Sequence, residues 1–456
     1  MTLKSPDKGP QKDQQQPRQT LSRRTVLKGM AAAAGVAAAG KLGLSPALAQ
    51  ETRGNFPAGV SGSTCFFGFS VPTTGPYEKQ GKDILKAYEL AVTAINDGSE
   101  LAKAMSPNIT KGILGKTIEY DHADTASNPT KSVEALTRFI KNNKAIMCAG
   151  SVSSSVAIAN QKLAQREKVI YLPAITGSNA TTGQACQRYA FRACHYAYTS
   201  SKALAPVLAK ELGSDAKVAY LVPDYTYGHS VLDSMKEFTE AQGWETVNEQ
   251  FPPLGIDDFS PYLTNIATSG ANVLVNICFG ADAVISAKQA KEFGILDTMS
   301  QVFPYMAPFL PEELGPEIMA GVYGATDFWW TLADENDKAA MFVDAFNSKY
   351  GYNPEWGAHT GFLQTMLYAD AVERAGTFDP KAVIETYESG YTIDTTLGEV
   401  SWRKEDHQLI RPVHVVVGKT KDEMGNPEDL LKIVGRAEGK DVMPPIEKFG
   451  CQMPEI

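Results

Sequence analysis

The chain has 456 residues, enough for two α/β cores of ordinary size, and its 43% apolar and 21% charged content excludes disorder throughout. A formal net charge of −9 argues against nucleic acid or anionic lipid as a partner, because both are polyanions. No apolar run reaches the roughly 20 residues that a membrane-spanning helix needs.

The first segment is set apart from the rest by composition. Residues 1–20 are polar and rich in Gln and Pro, and Ser22-Arg23-Arg24-Thr25-Val26-Leu27-Lys28 follows. A mild Ala/Gly-rich run over 29–40, Lys41 and the small-residue close Pro46-Ala47-Leu48-Ala49 complete it. This pattern resembles a twin-arginine export signal, removed after Ala49. Residues 1–49 hold eight Lys/Arg against two Asp, so the exported chain is more acidic still.

From residue 65 short apolar runs alternate with longer amphipathic ones. Strands are expected over 65–71, 117–121, 145–150 and 169–173, with helices over 81–96 (Gly98 as its stop), 129–142 and 156–166. The rhythm restarts near residue 200. Helices are expected over 201–212, 231–242, 261–269 and 283–293, and strands over 217–222, 245–250, 273–278 and 301–304. Helices over 338–350 and 361–375 follow, then strands over 398–402 and 411–417 and a polar tail from 419. Alternating strands and helices imply parallel sheets covered by helices on both faces.

Motifs that could carry catalysis fail on their requirements. Gly112-Ile113-Leu114-Gly115-Lys116-Thr117 resembles the end of a phosphate-binding loop, but position 110 is Thr and a strand follows instead of a helix, so a tight turn is expected. The six histidines, 122, 195, 229, 359, 407 and 414, have no metal-ligand spacing. Ser61 and Ser153 to Ser155 lack a nucleophile elbow, and Glu312-Glu313 after Pro311 reads as a helix start. No enzyme activity, metal or cofactor is therefore expected. Of six cysteines, Cys148 and Cys278 lie in strand-like runs and read as buried thiols. One disulfide is expected among Cys186, Cys194 and Cys451, with the pair left open.

Four patterns, spread over about residues 64 to 418, together resemble the leucine/isoleucine/valine-binding family of type I periplasmic binding proteins. They are Thr74-Gly75-Pro76-Tyr77 with Gly81, Ala94-Ile95-Asn96 and the 112–116 turn; Ala149-Gly150-Ser151 through Ser155 to Pro173-Ala174-Ile175-Thr176; Tyr189-Ala190-Phe191-Arg192; and Asp224-Tyr225-Thr226-Tyr227-Gly228 with Phe279. The resemblance implies an α/β clamshell of two Rossmann-like lobes joined by three crossing strands. The crossings are expected near 194–198, 326–329 and 400–404. The lobes are expected to comprise 58–196 plus 328–402, and 197–327 plus 403–418, with 419–456 as the tail.

Ligand is then expected at the carboxyl ends of the strands, between the lobes. Ser153 follows a strand and opens a helix, whose N-terminus suits an anion, and Ala174 and Thr176 follow the next strand. In the family the matching positions hold a ligand carboxylate; plain N-capping by Ser153 and an ordinary turn at Thr176 are the alternatives. Tyr227 and Phe279 match cleft-lining positions, Gln80 and Tyr198 are further candidates, and Trp329, Trp330 and Trp356 could add wall. The chain also departs from the amino-acid binders. Gln80 stands where several have an aromatic, Ala197 where they have an early second-lobe Asp, and the segment 303–308 carries no acid for a ligand ammonium. The family's first-lobe disulfide is also unmatched, with His122 and no Cys in that region. The implied function is capture of a small organic solute (an amino acid, amide or aromatic acid) in the periplasm for the membrane subunits of an ABC permease. A ligand sensor of the same fold is the alternative.

Overall fold

The computed structural model describes residue 60 and residues 62–456. The expected export segment at 1–49 lies outside them.

The first sheet is wholly parallel, in the order β2-β1-β3-β4, from β1 (Thr64–Val71), β2 (Thr117–Asp124), β3 (Met147–Gly150) and β4 (Ile170–Pro173). β3 and β4 are buried at every residue, which is why they read as unbroken apolar runs, not as alternating ones. β2 is the edge strand and shows charge to solvent. The turn before it is a tight two-residue reversal: Ile113 and Lys116 exchange backbone hydrogen bonds while Leu114 and Gly115 take φ of 47° and 72°. This is a structural turn, not a phosphate cradle.

The second sheet has seven strands. β5 (Lys217–Leu221), β6 (Glu245–Gln250), β7 (Val273–Asn276), β8 (Ser300–Phe303) and β9 (Tyr323–Thr326) run parallel. A small antiparallel sheet of β10 (Thr392–Thr395), β11 (Gly398–Arg403) and β12 (Gln408–Ile410) follows in the chain. Then β13 (Val413–Gly418) and β14 (Leu431–Ala437) extend the large sheet antiparallel, in the order β14-β13-β9-β8-β7-β5-β6.

The expected helices are present, though the one expected from 231 starts at Thr226 and helix Pro380–Tyr387 falls where none was expected; two further early starts are informative. The helix expected from 201 starts at Ala197, and the one expected from 361 starts at Trp356. Their opening turns are buried on all sides, so they carry no amphipathic signal. Helix Trp356–Ala375 packs along helix Glu78–Asp97, and Gly361 eases the close approach: a Cβ there would stand 3.1 Å from the Ile84 carbonyl oxygen, a tight contact. No described helix is long and apolar enough to cross a membrane.

Two expectations change. Residues 398–403, near the expected third crossing, form the middle strand of the small sheet. The chain passes to the large sheet after β12, where Leu409 N–H donates to the Arg192 carbonyl at 3.0 Å and Arg411 reaches the Ala193 and Asp327 carbonyls. The segment 419–456, expected as a polar tail, supplies β14 and is fastened by the disulfide Cys186–Cys451. β14 was missed because it is a sheet edge whose alternate residues face water. Cys194 stays a buried thiol, pushed up to about 12 by burial, as does Cys148.

Candidate functional site

The strand ends bring the first-lobe residues together. β3 and β4 pair in register, and past their ends Ala174 N–H donates to the Gly150 carbonyl at 2.8 Å. Ser153 is the N-cap residue of helix Ser154–Glu167, yet its hydroxyl makes no capping hydrogen bond. N-capping, the structural alternative for this residue, is therefore not what its hydroxyl does. Thr176 is fully buried, and its Oγ1 has no hydrogen-bond partner among the described residues. A buried hydroxyl without a partner costs about 1–3 kcal/mol, so such a group marks a place where another polar atom belongs.

Behind this loop sits Arg192, fully buried. Its guanidinium donates to the Thr176 carbonyl (3.0 Å), the Ser178 carbonyl (2.5 Å), Thr182 Oγ1 (2.5 Å) and Gln408 Oε1 (2.6 Å). All four acceptors are neutral. The cation thus polarises the 176–178 backbone without being neutralised by it, which favours negative charge beside the loop.

The second lobe presents aromatic rings after successive parallel strands. Tyr227 follows β5, Phe279 follows β7 and Tyr305 follows β8. Tyr227 lies 5.4 Å from Tyr305 and 6.1 Å from Phe279, centroid to centroid. The first lobe adds Tyr77, 5.8 Å from Phe279, and Trp356, 6.1 Å from Phe279 and 6.0 Å from Tyr305. Gly177 closes the gap between loop and rings, since a Cβ there would stand 2.8 Å from Tyr305 and 2.9 Å from Tyr227. The Tyr227 hydroxyl is buried without a partner among the described residues, and burial holds it neutral.

The lobes touch across the cleft through polar ties. Tyr77 and Tyr225 hydroxyls are 2.7 Å apart, Gln80 Nε2 donates to the Pro308 carbonyl at 2.8 Å, and Trp356 Nε1 donates to the Met306 carbonyl at 2.6 Å. Glu355 accepts from Phe309 N–H at 2.6 Å; burial, then Glu312, drives its carboxyl well above the usual range.

At the crossings, both Asp327 oxygens accept from His195 N–H at 3.0 Å, and Arg411 Nε lies 3.4 Å from Asp327 Oδ1. Burial pushes Asp327 up to about 6 despite Arg411. The other acids that could meet a ligand ammonium are otherwise placed. Asp224 is exposed and bound to His229, while Asp282 accepts from Gly255 N–H at 2.8 Å and is pushed up to about 6 by burial. Among the described residues no group of three or more His, Cys, Asp or Glu side chains is arranged to hold a metal ion.

Of the residues singled out from sequence, Ser153, Ala174 and Thr176 lie on the paired strand ends, Tyr227 and Phe279 lie in the ring cluster, and Gln80 ties its edge. Tyr198 does not join them: its ring packs on Phe238 (4.9 Å) and Phe449 (5.5 Å), because the first turn of helix Ala197–Leu212 directs it toward helix Thr226–Glu240 and the C-terminal segment. Trp356 belongs to the cluster. Trp330 lies elsewhere, its Nε1 donating to the Glu428 carbonyl at 3.4 Å, with Trp329 beside it at 6.1 Å. Sequence reasoning did not pick out His195 or Tyr305, which sit on irregular segments without periodicity. The only available signal for Tyr305 was the acid-free run 303–308.

A model of the periplasmic binding protein family matches residues 64–423. A curated relative, the Leu/Ile/Val-binding protein homolog 7 of Brucella abortus, is 24% identical over 328 residues, covering 69% of this chain and 78% of its own. Among solved structures, an amino acid ABC transporter substrate-binding protein from Pseudomonas fluorescens Pf-5 superposes with a TM-score of 0.76 at 24% identity, over 86% of this chain and 99% of that one. A solute-binding protein of an ABC transporter from Rhodopseudomonas palustris BisB5, in complex with 3,4-dihydroxybenzoic acid, gives 0.72 at 23% identity, over 84% and 99%. With the family model matched from β1 to beyond β13 and the two-sheet architecture shared, the chain belongs to the periplasmic binding protein family, as a solute-binding protein of the leucine/isoleucine/valine-binding type.

Proposed function

We propose that the chain is the exported substrate-binding component of an ABC importer. It closes its lobes around one carboxylate- or amide-bearing solute, delivers it to permease membrane subunits, and leaves it chemically unchanged. The observation that carries this reading is the unpartnered Thr176 hydroxyl beside a helix N-terminus, backed by the buried Arg192 cation, with aromatic rings against the next residue, Gly177. An anionic group satisfies the first part, and a flat or apolar body fits the second. The names of the relatives bracket this class, from branched-chain amino acids to a dihydroxybenzoic acid.

A thermal-shift screen of amino acids, amides and aromatic acids identifies the solute, because a ligand of the native state raises the unfolding midpoint. Small-angle scattering with that solute is expected to show a smaller radius of gyration, and mass spectrometry to return the solute intact. An unchanged scattering profile, or recovery of a converted product, contradicts the proposal.

Export by the twin-arginine route, into the periplasm, is part of the same proposal and rests on Ser22-Arg23-Arg24 ahead of a weak apolar run. Replacing Arg23 and Arg24 together with Lys is expected to leave the precursor in the cytoplasmic fraction. Full export of that variant would assign the ordinary secretory route instead.

A further inference from the structure

His195 occupies the first crossing and is 1% exposed. Its ring meets Tyr305 edge-on at 4.4 Å and Trp356 at 4.8 Å, within the same ring cluster that meets Gly177. Neither ring nitrogen has a hydrogen-bond partner among the described residues. Other buried imidazoles are tied into the fold: His407 contacts the Ala190 carbonyl and Glu388, and His359 contacts Thr396. His414 is held within β13 opposite Thr326, next to the Asp327 backbone. Near His195, its own N–H is on Asp327, and Arg192, Gln408 and Arg411 bind backbone and side-chain acceptors. The imidazole is left over inside the cleft's wall, as are the Tyr305 and Tyr227 hydroxyls of the same cluster, among the described residues.

Its chemistry follows from its neighbours. Burial, with Arg411 and Arg192 adding to it, drives its pKa well below the usual histidine range, so the ring is neutral, with one N–H and one lone pair. Asp327 Oδ1 lies 3.5 Å from Nδ1, too far for a good hydrogen bond but near enough to draw the proton to that nitrogen. Nε2 is then the acceptor, and it needs a donor from the solute. An ammonium is a poor donor here, because the buried Arg192 and Arg411 outnumber Asp327. A neutral hydroxyl carries no such penalty, and the rings of Tyr227, Phe279, Tyr305 and Trp356 favour an aromatic carrier for it.

We propose that His195 is a specificity-determining residue whose imidazole accepts a hydrogen bond from the solute, and that the solute is an aromatic carboxylate bearing a ring hydroxyl. The proposal rests on the solute-binding reading above, with the carboxylate at Thr176.

Titration calorimetry on the mature chain tests it, using benzoate, the three monohydroxybenzoates and the three methoxybenzoates. A methoxy group keeps the oxygen and removes the donor. At least one hydroxybenzoate is expected to bind roughly tenfold or more tighter than both benzoate and its methoxy counterpart. In His195→Phe the hydroxy-to-methoxy ratio is expected to fall to about one, and His195→Gln, which retains an acceptor oxygen, to restore part of it. A merely structural histidine would shift all the acids together and leave that ratio intact. The proposal is overturned by equal hydroxy and methoxy affinities in the native chain, or by a ratio unchanged in His195→Phe. Should that variant not fold, the native-chain comparison and His195→Gln decide. Benzoate binding without a hydroxyl preference would remove the role of His195 and leave the carboxylate site standing; failure of every acid would remove both.

Discussion

Replacing Arg411 with Met is expected to lower the unfolding free energy by about 3–5 kcal/mol. Arg411 is 3% exposed and stands where the chain makes its last passage between lobes. It holds the Ala193 carbonyl at 3.2 Å and the Asp327 carbonyl at 2.9 Å, and it faces the Asp327 carboxylate. Without it, a buried carboxylate keeps the His195 N–H and loses its adjacent cation, and two carbonyls lose donors. Because the folded-state pKa of Asp327 is raised to about 6, its ionised form already opposes folding as pH climbs from the ordinary carboxylate range through 6. The variant is therefore expected to lose more at pH 8 than at pH 5. Adding Asp327→Asn removes the charge and keeps an acceptor for His195, so the double variant should recover part of the loss. Urea denaturation of both proteins at the two pH values measures this. Equal stability of the Arg411 variant and the native chain would contradict the account of the crossings.

The architecture was legible where local pattern and packing agree. β3, β4, β5 and β7 read as strands because burial on both faces makes them continuous apolar runs, and the helix expected over 129–142 forms as Pro129–Lys141, with Asn128 as its cap and Pro in its first turn. Long-range choices were not legible. The third crossing was misplaced because β11 and β12 look alike as short strands, and only the pairing of Gln408 with Arg192 tells which of them adjoins the hinge. The partner of Cys186 lies 265 residues away, so no local spacing could name it. In the site, Ser153 and Thr176 came from motif resemblance, whereas Tyr305 and His195 depend on where irregular segments fold back. Tyr198 misled for the converse reason: its position in the chain is close to the cleft, and its ring is turned to the far side of the helix.

Simple aliphatic α-amino acids are expected to bind poorly. The cleft offers their carboxylate the Thr176 hydroxyl, the N-terminus of helix Ser154–Glu167 and the field of Arg192. Their ammonium would find rings where an acid is needed. The run 303–308 contributes Tyr305 to the cluster, Asp224 faces solvent with His229, and Asp282 is bound by Gly255. Asp327 is held at the crossings by His195 N–H and Arg411. Burying an ammonium without its charge-assisted partner costs on the order of 2–5 kcal/mol, a factor of roughly 30 to several thousand in affinity. An aromatic carboxylate avoids that cost and offers a ring to the cluster of Tyr227, Phe279 and Trp356. Side-by-side titration calorimetry of the mature chain with leucine, an aromatic carboxylate and a short amide is the most direct test. The account predicts that the aromatic carboxylate binds at least about 30-fold tighter than leucine and loses that affinity in Thr176→Val. Submicromolar leucine binding that is abolished by Asp282→Asn or Asp327→Asn would contradict it and return the cleft to amino-acid recognition.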